Sequence, residues 1–159
     1  MQFEIVTDSS SNLKEEMIEE FGLHILPLTF MVDGEDEVYQ SYLKGKHTDL
    51  KDFYTMMREG KVFKTSLPNL AESEKLIRGL LEEGRDVLYI GFSSGLSGTY
   101  VATELLIKDL AKEFPERKVF AVDTLAASGG EGLLVWHAVQ RAQAGESIEQ
   151  VRDWLEENK

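Results

Sequence analysis

Short apolar runs rich in β-branched residues alternate along this chain with longer stretches of helical spacing. That alternation restricts the possible folds more than any other feature. Residues 2–7 (Q-F-E-I-V-T), 23–32 (L-H-I-L-P-L-T-F-M-V), 87–90 and 118–122 read as strands, with Pro27 marking an edge or an irregularity in the second. Between and after them six segments read as helices: 13–21 ended by Gly22, 49–59 capped by Thr48 and followed by Gly60, and a third running from Asn69 to residue 83. The others are 97–113, 133–143, and a last helix behind the capping box of Ser147 and Gln150. Asp33-Gly34 is a turn, and residues 35–46 are expected to hold a short strand and an exposed loop. The pattern predicts a single α/β domain over residues 1–159, with a mainly parallel sheet flanked by helices.

In such sheets ligands bind beyond the carboxyl ends of the strands. Three polar turns leave those ends, at residues 8–12, 93–99 and 123–128, and the turn at 65–69 opens a further helix beside them. Composition sets limits on what they can bind. The chain has no cysteine, which rules out disulfides and thiolate metal centres and fits a reducing cytoplasm. No apolar run approaches a membrane span, and the start Met1-Gln2-Phe3-Glu4 lacks the basic residues of a signal peptide, so no stable membrane insertion is expected. Seventeen basic against 29 acidic residues give a net charge of −12, which repels nucleic acid; no nucleic-acid partner is expected. An anionic ligand would need strong local donors to overcome the same field.

The stretch G-F-S-S-G-L-S-G-T-Y (residues 91–100) admits two readings. Gly91-Phe92-Ser93-Ser94-Gly95 fits the G-x-S-x-G turn of serine hydrolases, and Ser93, Asp123 and His137 follow in the chain order of that triad. Against this, His137 falls within a helical pattern rather than on a loop, and the chain is short for such a fold with its oxyanion loop. The second reading is an anion cradle. A helix N-terminus carries unpaired N–H groups and a partial positive charge. Ser97 precedes the helical pattern, Gly98 lets a ligand oxygen approach the backbone, and the Ser93, Ser94 and Ser97 hydroxyls add donors. Thr65 and Ser66 offer a second pair, while Asp8, Ser9, Ser10 and Asp123 are candidates for a supporting layer. Plain N-capping is the alternative, at least as good for the turn at Ser11 and Asn12. No phosphate-binding G-K-S/T or G-x-G-x-x-G is present, and no basic residue stands in the serine loop, so a single carboxylate suits the cradle better than a polyphosphate. No cofactor and no metal are expected.

Five motifs in order resemble the DegV family: I-V-T-D-S-S-S-N-L (5–13), I-L-P-L-T-F (25–30), K-T-S-L-P-N (64–69), S-S-G-L-S-G-T-Y (93–100) and V-D-T-L-A-A-S-G-G-E-G-L-L-V (122–135). That family comprises bacterial fatty-acid-binding proteins, including the fatty-acid-binding subunit of fatty acid kinase. The resemblance implies a non-catalytic carrier of a long-chain fatty acid, whose carboxylate is held by Thr65 and Ser97, then Ser66, Ser93, Ser94 and Gly98. It further implies a partner kinase that phosphorylates the bound acid to an acyl phosphate. Leu67 stands where members commonly carry Gln, the loop from Tyr42 to Lys46 lacks a frequent Asp-Gly, and the second domain usual in the family does not follow Lys159. Burying about 14 methylenes contributes roughly 11 kcal/mol before association costs, so the carboxylate contacts fix orientation more than affinity. Apolar residues available for tunnel walls are Ile25, Leu28, Phe30, Phe53, Met56, Met57 and Phe92, all equally suited to ordinary core.

Overall fold

The apolar runs become two sheets of opposite character. The computed structural model describes residues 1–34, 37–42 and 50–159. In chain order it contains β1 (Glu4–Asp8), a 3-10 turn (Ser9–Ser11), α1 (Glu15–Phe21), β2 (His24–Leu26), β3 (Thr29–Val32), β4 (Val38–Gln40), α2 (Leu50–Arg58) and β5 (Phe63–Ser66). There follow α3 (Leu70–Glu82), β6 (Val87–Gly91), α4 (Thr99–Glu113), β7 (Val119–Asp123), α5 (Gly129–Gln143) and α6 (Ile148–Asn158). The cap expected at Thr48 and the loop at 43–46 lie outside the described residues.

The larger sheet is parallel throughout, in the order β2-β1-β6-β7. Its strands are apolar on both faces because helices cover both. Ile5, Leu88 and Ile90 pack with Ile18 and Phe21 of α1, Val135 and Val139 of α5, and Val151 and Leu155 of α6. Val6, Val87 and Tyr89 point the other way, against Ile77 and Leu81 of α3 and Ile107 and Leu110 of α4. Each such buried aliphatic side chain contributes ~1.5–3 kcal/mol. Three helix ends follow the expected signals, whereas α5 begins at Gly129, four residues before the expected start at Leu133. Gly22 closes α1 at φ 63°, a left-handed conformation a side chain would strain. Asn69 accepts the N–H groups of Ala71 and Glu72, and the Ser147–Gln150 capping box is complete.

Two expectations fail. Residues 23–32 are two strands in different sheets rather than one: Pro27, with no N–H to continue a ladder, separates β2 from β3. And Thr65 and Ser66 do not stand in a turn; they end β5, which pairs antiparallel with β3 in a second sheet ordered β4-β3-β5. F-K-T-S is too short for its alternation to register, and its partner lies more than thirty residues upstream, with Thr65 opposite Phe30 and Ser66 opposite Thr29. On one face of this small sheet Phe30 stacks on Tyr39 at 5.3 Å between ring centroids, and Phe53 of α2 packs 5.5 Å from Phe30 and 4.5 Å from Phe63.

Candidate functional site

In the parallel sheet the connections diverge between β1 and β6, since β1 leads outward to β2 and β6 leads the opposite way to β7. The crevice at the carboxyl ends of those two strands is where such sheets bind ligands. Asp8, the last residue of β1, is wholly buried there. Its Oδ2 accepts the Tyr89 hydroxyl at 2.9 Å and the Phe92 N–H at 2.9 Å, and its Oδ1 accepts the Ser10 N–H at 3.1 Å and hydroxyl at 2.5 Å. Tyr89 reaches Asp8 across Gly91, where a Cβ would come within 2.5 Å of the tyrosine ring. Ser9 Oγ accepts the Leu28 N–H at 2.9 Å and lies 2.6 Å from Ser41 Oγ, tying the start of β3 to the end of β1. Asp123 Oδ1, at the end of β7, accepts the N–H groups of Ser94 and Leu125, each at 3.1 Å. The side chains of Asp8, Ser9 and Asp123 thus hold backbone around the crevice, while the Ser10 hydroxyl contacts carboxyls.

The serine loop wraps over this base. Ser93 is buried: its N–H donates to the Ala126 carbonyl, its hydroxyl oxygen accepts the Gly95 N–H, and its carbonyl accepts the N–H groups of Leu96 and Ser97. Ser97 Oγ accepts the Thr99 N–H at 3.1 Å and lies 2.9 Å from Thr99 Oγ1. Thr99 is fully buried and Ser97 half-buried, so with Thr99 as donor the Ser97 proton is left to point outward. Beyond it, the backbone N–H groups of Gly98, Tyr100 and Val101 have no partner among the described residues. Gly98 is exposed, and a Cβ built on it would meet nothing within 4 Å. The Ser97 hydroxyl and three amides with no partner among the described residues thus gather at the start of a 15-residue helix. This arrangement suits an anion.

The sequence candidates separate accordingly. Ser97 and Gly98 belong to this donor set, Ser94 is exposed beside it with its N–H held by Asp123, and the Ser93 hydroxyl is committed inside the loop. Thr65 and Ser66 are exposed and consecutive on β5, so their side chains leave opposite faces of the sheet and do not act as a pair. Thr65 shares the face of Phe30 and Phe63; Ser66 shares that of Thr29. Among the described residues no hydrogen bond joins either to the serine loop. Of the candidate walls, Ile25 is core, whereas Phe30, Phe53 and Met56 are half-buried on or beside the aromatic face and Met57 is exposed.

The hydrolase reading has no support. The His137 ring packs against Trp136 and Trp154 on α5 and α6, and among the described residues no hydrogen bond links it to Asp123 or Ser93. Sequence reasoning missed Glu131, which is wholly buried at the first turn of α5. Its Oε2 lies 2.6 Å from the Ser10 hydroxyl, and its Oε1 accepts Thr7 Oγ1–H at 3.3 Å. Burial, and then the charge of Asp8, push its carboxyl up to about 8. The only sequence signal was an acidic residue inside the small-residue run S-G-G-E-G.

The family profile described as "Uncharacterised protein, DegV family" matches residues 2–159. The chain belongs to the DegV family. A DegV domain-containing protein of Clostridium perfringens is 34% identical over 99% of this chain and 53% of its own length. Among solved structures, a DegV family protein of Thermus thermophilus described for its fatty acid binding superposes with a TM-score of 0.81 at 33% identity, covering 99% of this chain and 53% of that one. A DegV lipid-binding protein of Thermotoga maritima does so with 0.82 at 31% identity, over 99% and 54%. This DegV chain spans about half the length of the curated relatives it matches.

Proposed function

We propose that residues 1–159 act as a DegV-like lipid-binding domain that holds a long-chain fatty acid by its carboxylate at the N-terminus of α4. The observation that carries this reading is the donor set just described: the Ser97 hydroxyl and the free N–H groups of Gly98, Tyr100 and Val101, with no lysine or arginine in the loop. Uncharged donors with a helix dipole suit a monoanion. The half-buried face of Phe30, Phe53 and Phe63, which ends at Thr65, suits an acyl chain, with the Thr65 hydroxyl as a further carboxylate donor. The fatty-acid and lipid binding described for the Thermus and Thermotoga proteins supports the same ligand class. The loop's exposed Ser94 and Gly98 leave the carboxylate end open to a partner kinase, and the carrier itself performs no chemistry. In this reading the protein works in the cytoplasm. Among the described residues no helix is long and apolar enough to cross a membrane.

Mass spectrometry of lipid extracted from the purified protein should show a long-chain fatty acid. Thr65→Ala and Ser97→Ala should each weaken binding of a labelled fatty acid about tenfold or more, the loss of one hydrogen bond to a charged group, and neither should unfold the domain, although Ser97→Ala also leaves the buried Thr99 N–H and hydroxyl without their partner. Wild-type affinity in both variants would remove the assignment. Gly98→Ala is a sharper test of the donor set. Its Cβ enters empty space in a backbone conformation alanine accepts, so folding is undisturbed, yet the methyl group adds bulk beside the Gly98 N–H. Affinity should fall at least tenfold with no loss of stability.

A further inference from the structure

The contacts around Ser10 require a proton that the binding reading does not use. Ser10 Oγ lies 2.5 Å from Asp8 Oδ1 and 2.6 Å from Glu131 Oε2, yet a serine hydroxyl has one hydrogen to donate. Both contacts can be hydrogen bonds only if one carboxyl carries a proton and donates it to Ser10. Asp8 is already the acceptor for Tyr89 O–H, Phe92 N–H and Ser10 N–H, which favour its ionised form. Apart from the Ser10 contact, Glu131 accepts only from Thr7 among the described residues, at 3.3 Å. The proton therefore sits on Glu131, and the order is Glu131 Oε2–H to Ser10 Oγ, Ser10 Oγ–H to Asp8, and Asp8 to the Phe92 N–H at the root of the serine loop.

We propose that Glu131 is a positioning residue for that loop, and that the loop's grip on an anionic ligand depends on Glu131 holding its proton. Without it, two fully buried carboxylates would compete for one hydroxyl. The 3-10 turn and the start of α5, otherwise joined by the Ser128 N–H to Ser10 O and by Asn12 to the Ser128 hydroxyl, would be driven apart, and Asp8 with them. The added charge also lies on the ligand's side of the sheet and is of the ligand's sign.

The groups facing Glu131 are Thr7 and Asp8 from β1, Ser10 from the 3-10 turn, and the phenol of Tyr89 from β6, itself pushed well above its ordinary range by burial and by Asp8. No cation pairs with either carboxyl among the described residues. On neighbouring α6 and at the far end of α5, Glu149 pairs with Lys118, Arg152 with Asp153 and Arg141 with Glu146. In the unfolded chain Glu131 ionises near the ordinary 4.5 and in the fold at about 8. The fold thus binds the extra proton between those values. Its stabilisation is complete below pH 4.5, declines as pH rises, and is lost above about 8.

The inference rests on the fatty-acid reading only for its ligand arm. Wild type and Glu131→Gln, whose amide donates to Ser10 at every pH, are compared from pH 6 to 9.5 by urea unfolding and by titration with a labelled fatty acid, which is anionic throughout. The Glu131 carboxyl is followed in the wild type by 13C NMR. A carboxyl titrating near 8, a wild-type urea midpoint and affinity that fall across that range (affinity at least tenfold), and flat profiles in Glu131→Gln are the expected result. Parallel profiles in the two proteins, or a carboxyl titrating near 4.5, overturn the proposal. Absence of fatty acid binding at every pH refutes the ligand reading and the grip with it, whereas the NMR and urea arms still decide where the proton sits.

Discussion

Asp8→Ala is expected to lower stability by about 4 kcal/mol, a large share of the ~5–15 kcal/mol that holds a domain together. The carboxylate accepts four hydrogen bonds, from Tyr89, Phe92 and twice from Ser10, and all of these donors converge on a residue with no exposure. Each buried donor left without a partner costs about 1–3 kcal/mol. Two terms offset this: alanine no longer desolvates a charge, and Glu131 is relieved of a like-charged neighbour. The sum remains strongly unfavourable because three elements (the 3-10 turn, β6 and the serine loop) lose their common acceptor. Urea unfolding monitored through Trp136 and Trp154 measures the loss, and hydrogen exchange at the Phe92 amide should accelerate further than at Ile5 in the sheet interior. A loss below about 1 kcal/mol would mean that these donors find other partners. Asp8→Asn, which keeps one carbonyl acceptor but turns an NH2 group toward the remaining donors, should cost about half as much.

Gly132→Ala should be nearly as damaging, although alanine is the better helix former by about 1 kcal/mol. A Cβ at position 132 would stand 2.7 Å from the Ser11 carbonyl oxygen and 3.3 Å from Leu13 Cδ2. The first contact is with backbone, so no rotamer relieves it, and α5 must retreat from the 3-10 turn. That retreat stretches the bonds from Ser128 to Ser10 and from Asn12 to Ser128 together with the Ser10–Glu131 contact. Overpacking of this kind costs about 1–3 kcal/mol, and the broken polar contacts add to it, for an expected net loss of about 3 kcal/mol. Gly79→Ala is the matched control: it too lies inside a helix, a Cβ there meets nothing within 4 Å, and the propensity gain should appear as up to about 1 kcal/mol of added stability. Opposite signs for the same substitution separate close packing from helix preference; equal signs would show that α5 and the turn can part without cost.

Much of the architecture was legible because it is local. The strands 87–90 and 118–122, the stop at Gly22, the cap at Asn69 and the box at Ser147 each rest on residues within a few positions of one another, and all appear where expected. β5 was invisible because four residues, F-K-T-S, become a strand only when β3 lies beside them. The same distance hid the role of Thr65, now read as the end of an aromatic face rather than half of a Thr–Ser pair, since alternation sends Ser66 the other way. Ser97 and Gly98 were singled out by the helix-start signal, and the structure puts them immediately before α4. Glu131 was not, because nothing in S-G-G-E-G tells that its partner is Ser10, more than a hundred residues upstream.

The sequence alone determined the alternating α/β order, the helix ends, the polar turns at the strand ends and the family likeness, since propensity, capping and periodicity act over one or two turns of chain. Tertiary structure alone decided which turns meet, that one apparent strand serves two sheets, and that the Asp8 and Glu131 carboxyls converge on one hydroxyl. Strand pairing and the burial of charge depend on neighbours brought from far along the chain, and their free energies are set by that environment rather than by the residue.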